Sequence, residues 1–400
     1  MFYIRKDSMM KKQSFTHSRK PKFGMRKLSI GLASCMLGMM FLTTGHVNAD
    51  DVDSEGGTLM LVPEQRGNWY SYRSDIEDFQ ADKTKEHVMY TKWLDGVTVD
   101  DSQFKKLTDK DGTEYWATPL LNGLGYYDIN KDFNEDSDKC SGAVAANMFH
   151  YWFDRNRGNI DRFLKQFPEE NGVIKIAGET IRLSEFLETY HSNDNGDVTY
   201  RDKSPFFDYI SKNFRGPVWT DKLLDAWING YGYNHKWGRN IEDASKNTSG
   251  INFFKKVFNE KLLTDVHQIF NHDTLSYWLR DGLYTGKAIG LSYGPAGLRH
   301  SLGHIISIWG ADFDEQHRVV AIYVTDSDDK QLTVGESGPR IGLKRYRVFS
   351  DDQGRARLTA YAKDNTDGEA KDNAGGEVRE VYTLDMGRQG WENYFNSKPQ

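Results

Sequence analysis

The chain has 400 residues, 52 basic against 58 acidic, 13% of them aromatic, with nine prolines and two cysteines, which excludes a collagen-like or low-complexity chain. Its 22 Phe, 21 Tyr and 10 Trp supply enough apolar surface for a sizeable core, so disorder is expected only toward the ends.

Residues 1–27 carry nine Lys and Arg against one acid, residues 28–49 carry no charged side chain, and Val47-Asn48-Ala49 offers small residues at a cleavage position. That order predicts a secretory signal peptide over 1–49, cut near Ala49. The apolar run, Leu28 to Thr44, is shorter than the roughly 20 residues of a membrane span. A rival lipoprotein site, Leu32-Ala33-Ser34-Cys35, falls in the middle of that run instead of at its end. Without the leader the chain has a formal charge of −14, so nucleic acid is not an expected partner. Secretion into the medium, with no membrane association in the mature form, is expected.

Residues 50–85 are polar and acidic and read as a loosely ordered arm, leaving 86–400 as one domain. Helical periodicity predicts helices over 140–156, 159–166, 183–190, 205–214, 221–229, 251–260 and 275–283. Strands are predicted over 287–293, 303–312, 318–326, 340–349, 355–363 and 377–384, with an exposed loop at 364–376. Helices grouped before strands indicate an α+β fold in which a helical layer packs on an antiparallel sheet.

Removing the leader leaves Cys140 as the single cysteine. An internal disulfide and a thiolate zinc site are both ruled out, and three readings survive: an inert buried Cys, an intermolecular bridge, or a nucleophile. Cys140 opens a strong helix, in which Val144, Met148 and Trp152 recur on one face beside Ala145, Phe149 and Phe153. Asp136, Ser137 or Asp138 would cap it. A thiol in the first turn feels free N–H groups and the positive end of the macrodipole, which favour thiolate. The small run Ser141-Gly142-Ala143 would leave room for a substrate backbone.

A thiol nucleophile needs a base, and the base an orienting acceptor. A hairpin centred on Glu315 pairs Asp312 with Arg318, Ile308 with Ile322, Ile306 with Val324 and His304 with Asp326. On that register His304 and Asp326 stand directly opposite, about 5 Å apart at Cβ, closing an otherwise apolar face. Asp328 shares that face and reads equally as a second acceptor or a solvated loop acid. His300 lies in a Gly-rich loop. His150 is ten residues beyond Cys140 on its helix, about 15 Å away, and cannot touch the sulfur. Lys131 is close enough in sequence to stabilise an oxyanion, or is one surface Lys among many.

The stretches Gly125-Tyr126-Tyr127-Asp128-Ile129-Asn130-Lys131, Cys140 with Ala146-Asn147-Met148-Phe149-His150-Tyr151-Trp152-Phe153-Asp154, Trp227-Ile228-Asn229-Gly230-Tyr231, Gly303-His304 through Asp314, and Ala321 through Asp328 resemble the streptococcal immunoglobulin-degrading cysteine proteases, the Mac family. The resemblance runs from about Tyr90 to the C-terminus. It implies a papain-like fold with Cys140 as nucleophile, His304 as base, Asp326 as orienting acid, Lys131 at the oxyanion site and Asp328 as a supporting acid, with no metal and no cofactor. It further implies a virulence factor that evades immunity by cutting host immunoglobulin heavy chains, IgG near the hinge first and IgM second. The chain departs from the family in placing Ser141 between Cys140 and Gly142, and in a Lys131 to Cys140 segment one residue short. Two other classes fit the same residues: a binding protein that occludes immunoglobulin or its receptor without cutting, and a transglutaminase-like acyl transferase.

Overall fold

The computed structural model describes residues 72–397 apart from 109–113, 122, 132–135, 137, 167–171, 177–178, 185–203, 214–217, 230–231, 235–238, 242–252, 260, 295–302, 330–339 and 360–375. The leader, residues 50–71 of the arm, most of the helix expected at 183–190, His300 and the loop at 364–375 lie outside the described residues.

In chain order the helices are α1 (Tyr72–Lys85), α2 (Cys140–Arg155), α3 (Arg157–Gln166), α4 (Pro205–Asn213), α5 (Thr220–Ile228), α6 (Lys255–Phe258), α7 (His272–Thr285) and α8 (Arg388–Asn396). The strands are β1 (Tyr90–Trp93), β2 (Lys105–Thr108), β3 (Glu114–Pro119), β4 (Val173–Ile176), β5 (Glu179–Arg182), β6 (Gly232–Asn234), β7 (Arg239–Ile241), β8 (Thr264–Gln268), β9 (Ala288–Gly294), β10 (His304–Phe313), β11 (Val319–Thr325), β12 (Ile341–Ser350), β13 (Ala356–Leu358) and β14 (Gly376–Leu384). Together they form an α+β fold.

Ten strands make one antiparallel sheet, and β4-β5 and β6-β7 are separate two-stranded ribbons. Within the large sheet β10 pairs β9, β9 pairs β14, β14 pairs β13, β13 pairs β12, β12 pairs β11, and β11 returns to β10. The hydrogen-bonded path therefore closes on itself, and a ring has no free edges. β1 extends β10, β3 with β2 extends β12, and β8 extends β14.

The expectation that helices precede strands needs correction, because β1, β2 and β3 come before α2 yet join the main sheet. β1 has only four residues, all half-buried, and so lacks the alternation that marks a strand. The strands from β9 onward, β13 apart, are longer; β10 is buried along all ten residues, as a strand covered on both faces must be.

Helix α2 is buried on nearly every side, from Cys140 to Phe153 except for Ser141. One flank lies on β9 and β10, where Gly290 lets it approach: a Cβ there would meet Val144 Cγ1 at 2.9 Å. The other flank builds an aromatic core. Phe149 stands edge-on to Phe206 of α4 at 4.4 Å, Trp152 lies 5.2 Å from Phe254, and Phe254 lies 5.4 Å from Trp391 of α8.

Residues 72–85, expected to belong to a loose arm, are instead the docked helix α1. Phe79 is fully buried, stacked 4.7 Å from Phe104 and edge-on to Trp116 at 4.9 Å. Lys83 donates to Thr91 and Asp101, and Trp116 Nε1 donates to Asp82. One buried apolar residue in an acidic segment leaves little periodic signal, yet it anchors the helix. Phe79→Ala should lower unfolding stability by about 3–5 kcal/mol, read from denaturant melts. An unchanged midpoint would mean that α1 is not part of the cooperative unit.

Candidate active site

Cys140 is the first residue of α2 and is buried. Its N-cap position is Lys139, which makes no side-chain capping bond, in place of the expected Asp136 or Asp138, and the third candidate, Ser137, lies outside the described residues; Asp136 contributes its carbonyl, accepting from Lys139 N at 2.8 Å. Ala143 N donates to Lys139 O, so the N–H groups of Cys140, Ser141 and Gly142 precede the first intrahelical bond. Thr220 of α5 donates to Ser141 O at 3.0 Å and fastens this turn. Gly142 does not open space for substrate as expected. A Cβ on it would meet Ile210 Cγ2 at 2.8 Å, so its small size serves the packing of α4.

The direction of α2 along the sheet decides what the thiol meets. Tyr151 lies edge-on to Trp309 at 5.9 Å, and Asn147 Nδ2 donates to Ser307 Oγ at 3.0 Å. Helix and strand thus advance together from N to C. From Asn147 back to Cys140 is about 10.5 Å at 1.5 Å per helical residue, and from Ser307 back to His304 is about 10 Å of strand. The start of α2 is therefore level with His304. Asn147 also accepts from Ile129 N at 3.1 Å, which ties in the segment leading to Lys131. This buried amide was not among the expected site residues. The signal available was an Asn inside a helix otherwise apolar all round, which must find hydrogen-bond partners.

His304 Nε2 and Asp326 Oδ1 lie 2.6 Å apart, with both side chains buried. The carboxylate accepts, so Nε2 carries a proton. The contact is as expected, but the register that led to it is not. β10 and β11 pair Ser307 with Thr325 and Ile308 with Val324; past a bulge at Trp309 they pair Gly310 with Tyr323 and Asp312 with Ala321. The ladder is shifted by two residues at the His304 end. The turn sets it: Asp314 Oδ1 accepts from Gln316 N and Arg318 N, with His317 at φ +60°, so that Phe313 already pairs with Val319, and the irregularities at Asp312/Phe313 and at Trp309 offset each other. An even shift keeps every side chain on its face, so the two residues still meet. They meet along a diagonal: β11 ends at Thr325, and the chain turns over 326–329, where Asp326 Oδ1 also accepts from Asp328 N at 3.0 Å.

Asp328 is 3.7 Å from His304 Nδ1 through one oxygen, and its other oxygen pairs with the Lys131 ammonium. Lys131 is fully buried, and its N–H donates to Ser327 O at 2.9 Å. The structure thus gathers His304, Asp326, Asp328 and Lys131 into one cluster at the level of Cys140. His304, Asp326 and Asp328 offer ligand-type atoms within 4.8 Å of one another, and Lys131 already brings a cation to that group. His150 stands apart: Nε2 meets Ser204 Oγ at 2.8 Å, and burial pushes its pKa down to about 3, keeping it neutral.

Burial alone would disfavour the His304 imidazolium, but Asp326 and Asp328, with Tyr293 edge-on at 5.7 Å, overcome it and hold the ring well above its usual range. Asp326 is held below the usual carboxylate range: burial opposes this, and His304, Lys344 and the Asp328 N–H outweigh it.

The described residues thus hold a thiol at a helix start and an imidazole bonded to a buried carboxylate. A family model described as Mac 1 matches residues 64–391, and the chain belongs to that family. It is similar to a protein named IgM protease from Streptococcus suis (strain P1/7), 32% identical over 314 residues, which is 76% of this chain. The chain spans 25% of the length of that relative.

The shifted groups set a pH window. His304, raised on folding, contributes stability that is complete below about pH 6.5 and is lost as pH rises through its folded value. Asp326, lowered on folding, contributes stability that is complete above about pH 4 and is lost on acidification. The stability gap between wild type and His304→Ala should be widest between those limits, measured by urea unfolding from pH 4 to 9. A gap that widens steadily toward pH 9 would contradict the imidazolium–carboxylate pair.

Proposed function

We propose that this chain is a secreted cysteine endopeptidase of papain-like architecture that cuts immunoglobulin heavy chains. The observation that supports the reading is the buried His304–Asp326 contact on a strand to which α2, the helix that Cys140 opens, is tied through Asn147 and Ser307. The Cys140 thiolate attacks the scissile carbonyl, and the tetrahedral oxyanion is taken up by the N–H groups at the start of α2, with Lys131 adding positive charge nearby. The proton held by His304 passes to the leaving amine, and His304 then takes a proton from the water that releases the acyl group. Asp326 holds the ring in place and stabilises the imidazolium, and Asp328 supports it.

Cleavage of IgG near its hinge is the substrate reading drawn from the family resemblance. IgM is the second, favoured by the name of the S. suis relative. Export through the leader at 1–49, with a mature chain starting near Asp50, fits a role in immune evasion outside the cell. Incubating the protein with IgG, IgM and IgA from several hosts and sizing the heavy-chain fragments tests the reading. Cys140→Ala should retain antibody binding and produce no fragments. Binding by the wild type without cleavage of any class would favour the occluding protein instead.

The two acids should separate in kinetics. Asp326→Asn should fold and lose turnover by up to about 10⁴-fold, because an amide cannot stabilise the imidazolium. Asp328→Asn should lose less, and combining His304→Ala with Cys140→Ala should add little to either alone. A harmless Asp326→Asn beside an inactive Asp328→Asn would transfer the orienting role to Asp328.

A further inference from the structure

The sheet row next to His304 carries a carboxylate that the mechanism above does not use. On one row His304 pairs with Tyr293 and Tyr293 with Val378; on the next, Ile305 pairs with Ser292, Ser292 with Glu380, and Glu380 with Gln268. Arg379, between the two rows of β14, is the extra residue of a bulge, and a Cβ on Gly303 would meet its guanidinium at 2.9 Å. Glu380 shares its strand face with Tyr382, and that face meets α2: a Cβ on Gly290 would lie 2.9 Å from Val144 Cγ1 and 3.6 Å from Tyr382 Cβ. β14 and β10 are both antiparallel to β9, so β14 runs the same way as β10 and α2. Cys140 is one turn before Val144 on the same stripe of the helix, about 6 Å back. Glu380 is two residues before Tyr382, about 7 Å back. Both steps run toward the His304 row.

Three strands hold this carboxylate with neutral donors. Gln268 Nε2 of β8 donates to Oε1 at 2.5 Å, while Ser292 Oγ of β9, at 3.4 Å, and Tyr382 OH of β14 donate to Oε2. Burial, then Glu380 and Asp221, hold the Tyr382 phenol well above its usual range, so it remains a donor. Glu380 is half-buried, and among the described residues no ion pair joins it to a cation. Asp221, by contrast, pairs with Lys222 at 2.9 Å. Neutral hydrogen bonds orient a carboxylate without cancelling its charge.

We propose that Glu380 is the recognition group of a subsite that takes a basic side chain, lysine or arginine, from the protein substrate on the acyl side of the scissile bond. The inference rests on the reading of Cys140 as nucleophile and His304 as the group that protonates the leaving amine. That amine must lie at His304 on β10, whereas Glu380 lies two strands away across β9, about 10 Å, so the acyl part of the substrate runs toward it. An extended chain covers that distance in about three residues.

Tripeptidyl chloromethyl ketones alkylate an active thiol while their side chains occupy the acyl side. A panel that moves one lysine, against norleucine, through the three positions tests the subsite on the full chain. Rates of Cys140 alkylation, read by mass spectrometry beside loss of immunoglobulin cleavage, are divided by each protein's iodoacetamide rate. In the wild type lysine should be favoured over norleucine by about tenfold at one position. Glu380→Gln should bring that ratio close to one, and Glu380→Lys should make a glutamate reagent the faster at the same position. A wild type without lysine preference at any position overturns the proposal, and so does a preference that survives in folded Glu380→Gln. If Glu380→Gln does not fold, Glu380→Ala decides by the same ratio. Failure of iodoacetamide and every ketone to modify Cys140 in active wild type would remove the Cys140 reading and the subsite with it, an outcome distinct from a reactive thiol that shows no preference for lysine.

Discussion

Asn147 donates to Ser307 and accepts from Ile129, and through those two bonds the helix bearing the thiol, the strand bearing the imidazole and the segment bearing Lys131 share one register. Helix and strand climb at different rates, about 1.5 and 3.3 Å per residue, so two side chains on them come level only at chosen spacings. Seven residues of α2 match three of β10. Sliding β10 by one residue would turn His304 to the opposite face, and sliding α2 by one would swing Cys140 round the helix axis. The neighbouring contacts oppose such a slide: Gly290 receives Val144, and Tyr151 is set against Trp309. The aromatic core on the far side of α2 presses the helix onto the sheet, so packing energy gathered far from the chemistry fixes its geometry.

The ring of strands completes that constraint. β10 carries His304, β11 leads directly into Asp326, and β12 carries Lys344, so three adjacent strands deliver the imidazole, the acid and the cation behind it. A closed antiparallel ring cannot shift one ladder without shifting its neighbours. Small errors in any one connection are therefore averaged over the others, which suits a site whose partners come from several parts of the chain.

Much of this was legible in the sequence, for reasons that differ by residue. Helix α2 was visible because its apolar positions repeat over four turns. Cys140 drew attention because it is the single cysteine beyond the expected leader. His304 and Asp326 were correctly joined through a register that was wrong by two residues, and the error was harmless because strand faces repeat every two. A one-residue error would have separated them. The bulge at Trp309 and the Asp314 turn carry no clear signature in a single sequence, since both depend on backbone bonds formed only once the hairpin exists. β1 and β2 escaped notice because short, half-buried strands do not alternate, and β3 because it runs from exposed at Glu114 to buried at Pro119 without alternating. Gly142 was read for the wrong neighbour: a small residue shows that something approaches closely, and only the fold shows that it is Ile210.

Buried charge accounts for the division of labour among three acids within four residues. Asp328 is paired with Lys131, Asp329 with Lys344, and Asp326 with His304. Two of these partners are ammonium groups, which at neutral pH hold their protons more firmly than an imidazole does. The third is an imidazole, the side chain whose ordinary range lies closest to neutrality. Three carboxylates can stay ionised together in an apolar interior only if each has its own cation. The pair containing the titratable cation is the one through which the proposed mechanism moves a proton, and the three acids differ in how firmly they are held as charges: His304 and Lys344 keep Asp326 below the usual carboxylate range, whereas burial pushes Asp329 up to about 7 against the pull of Lys344.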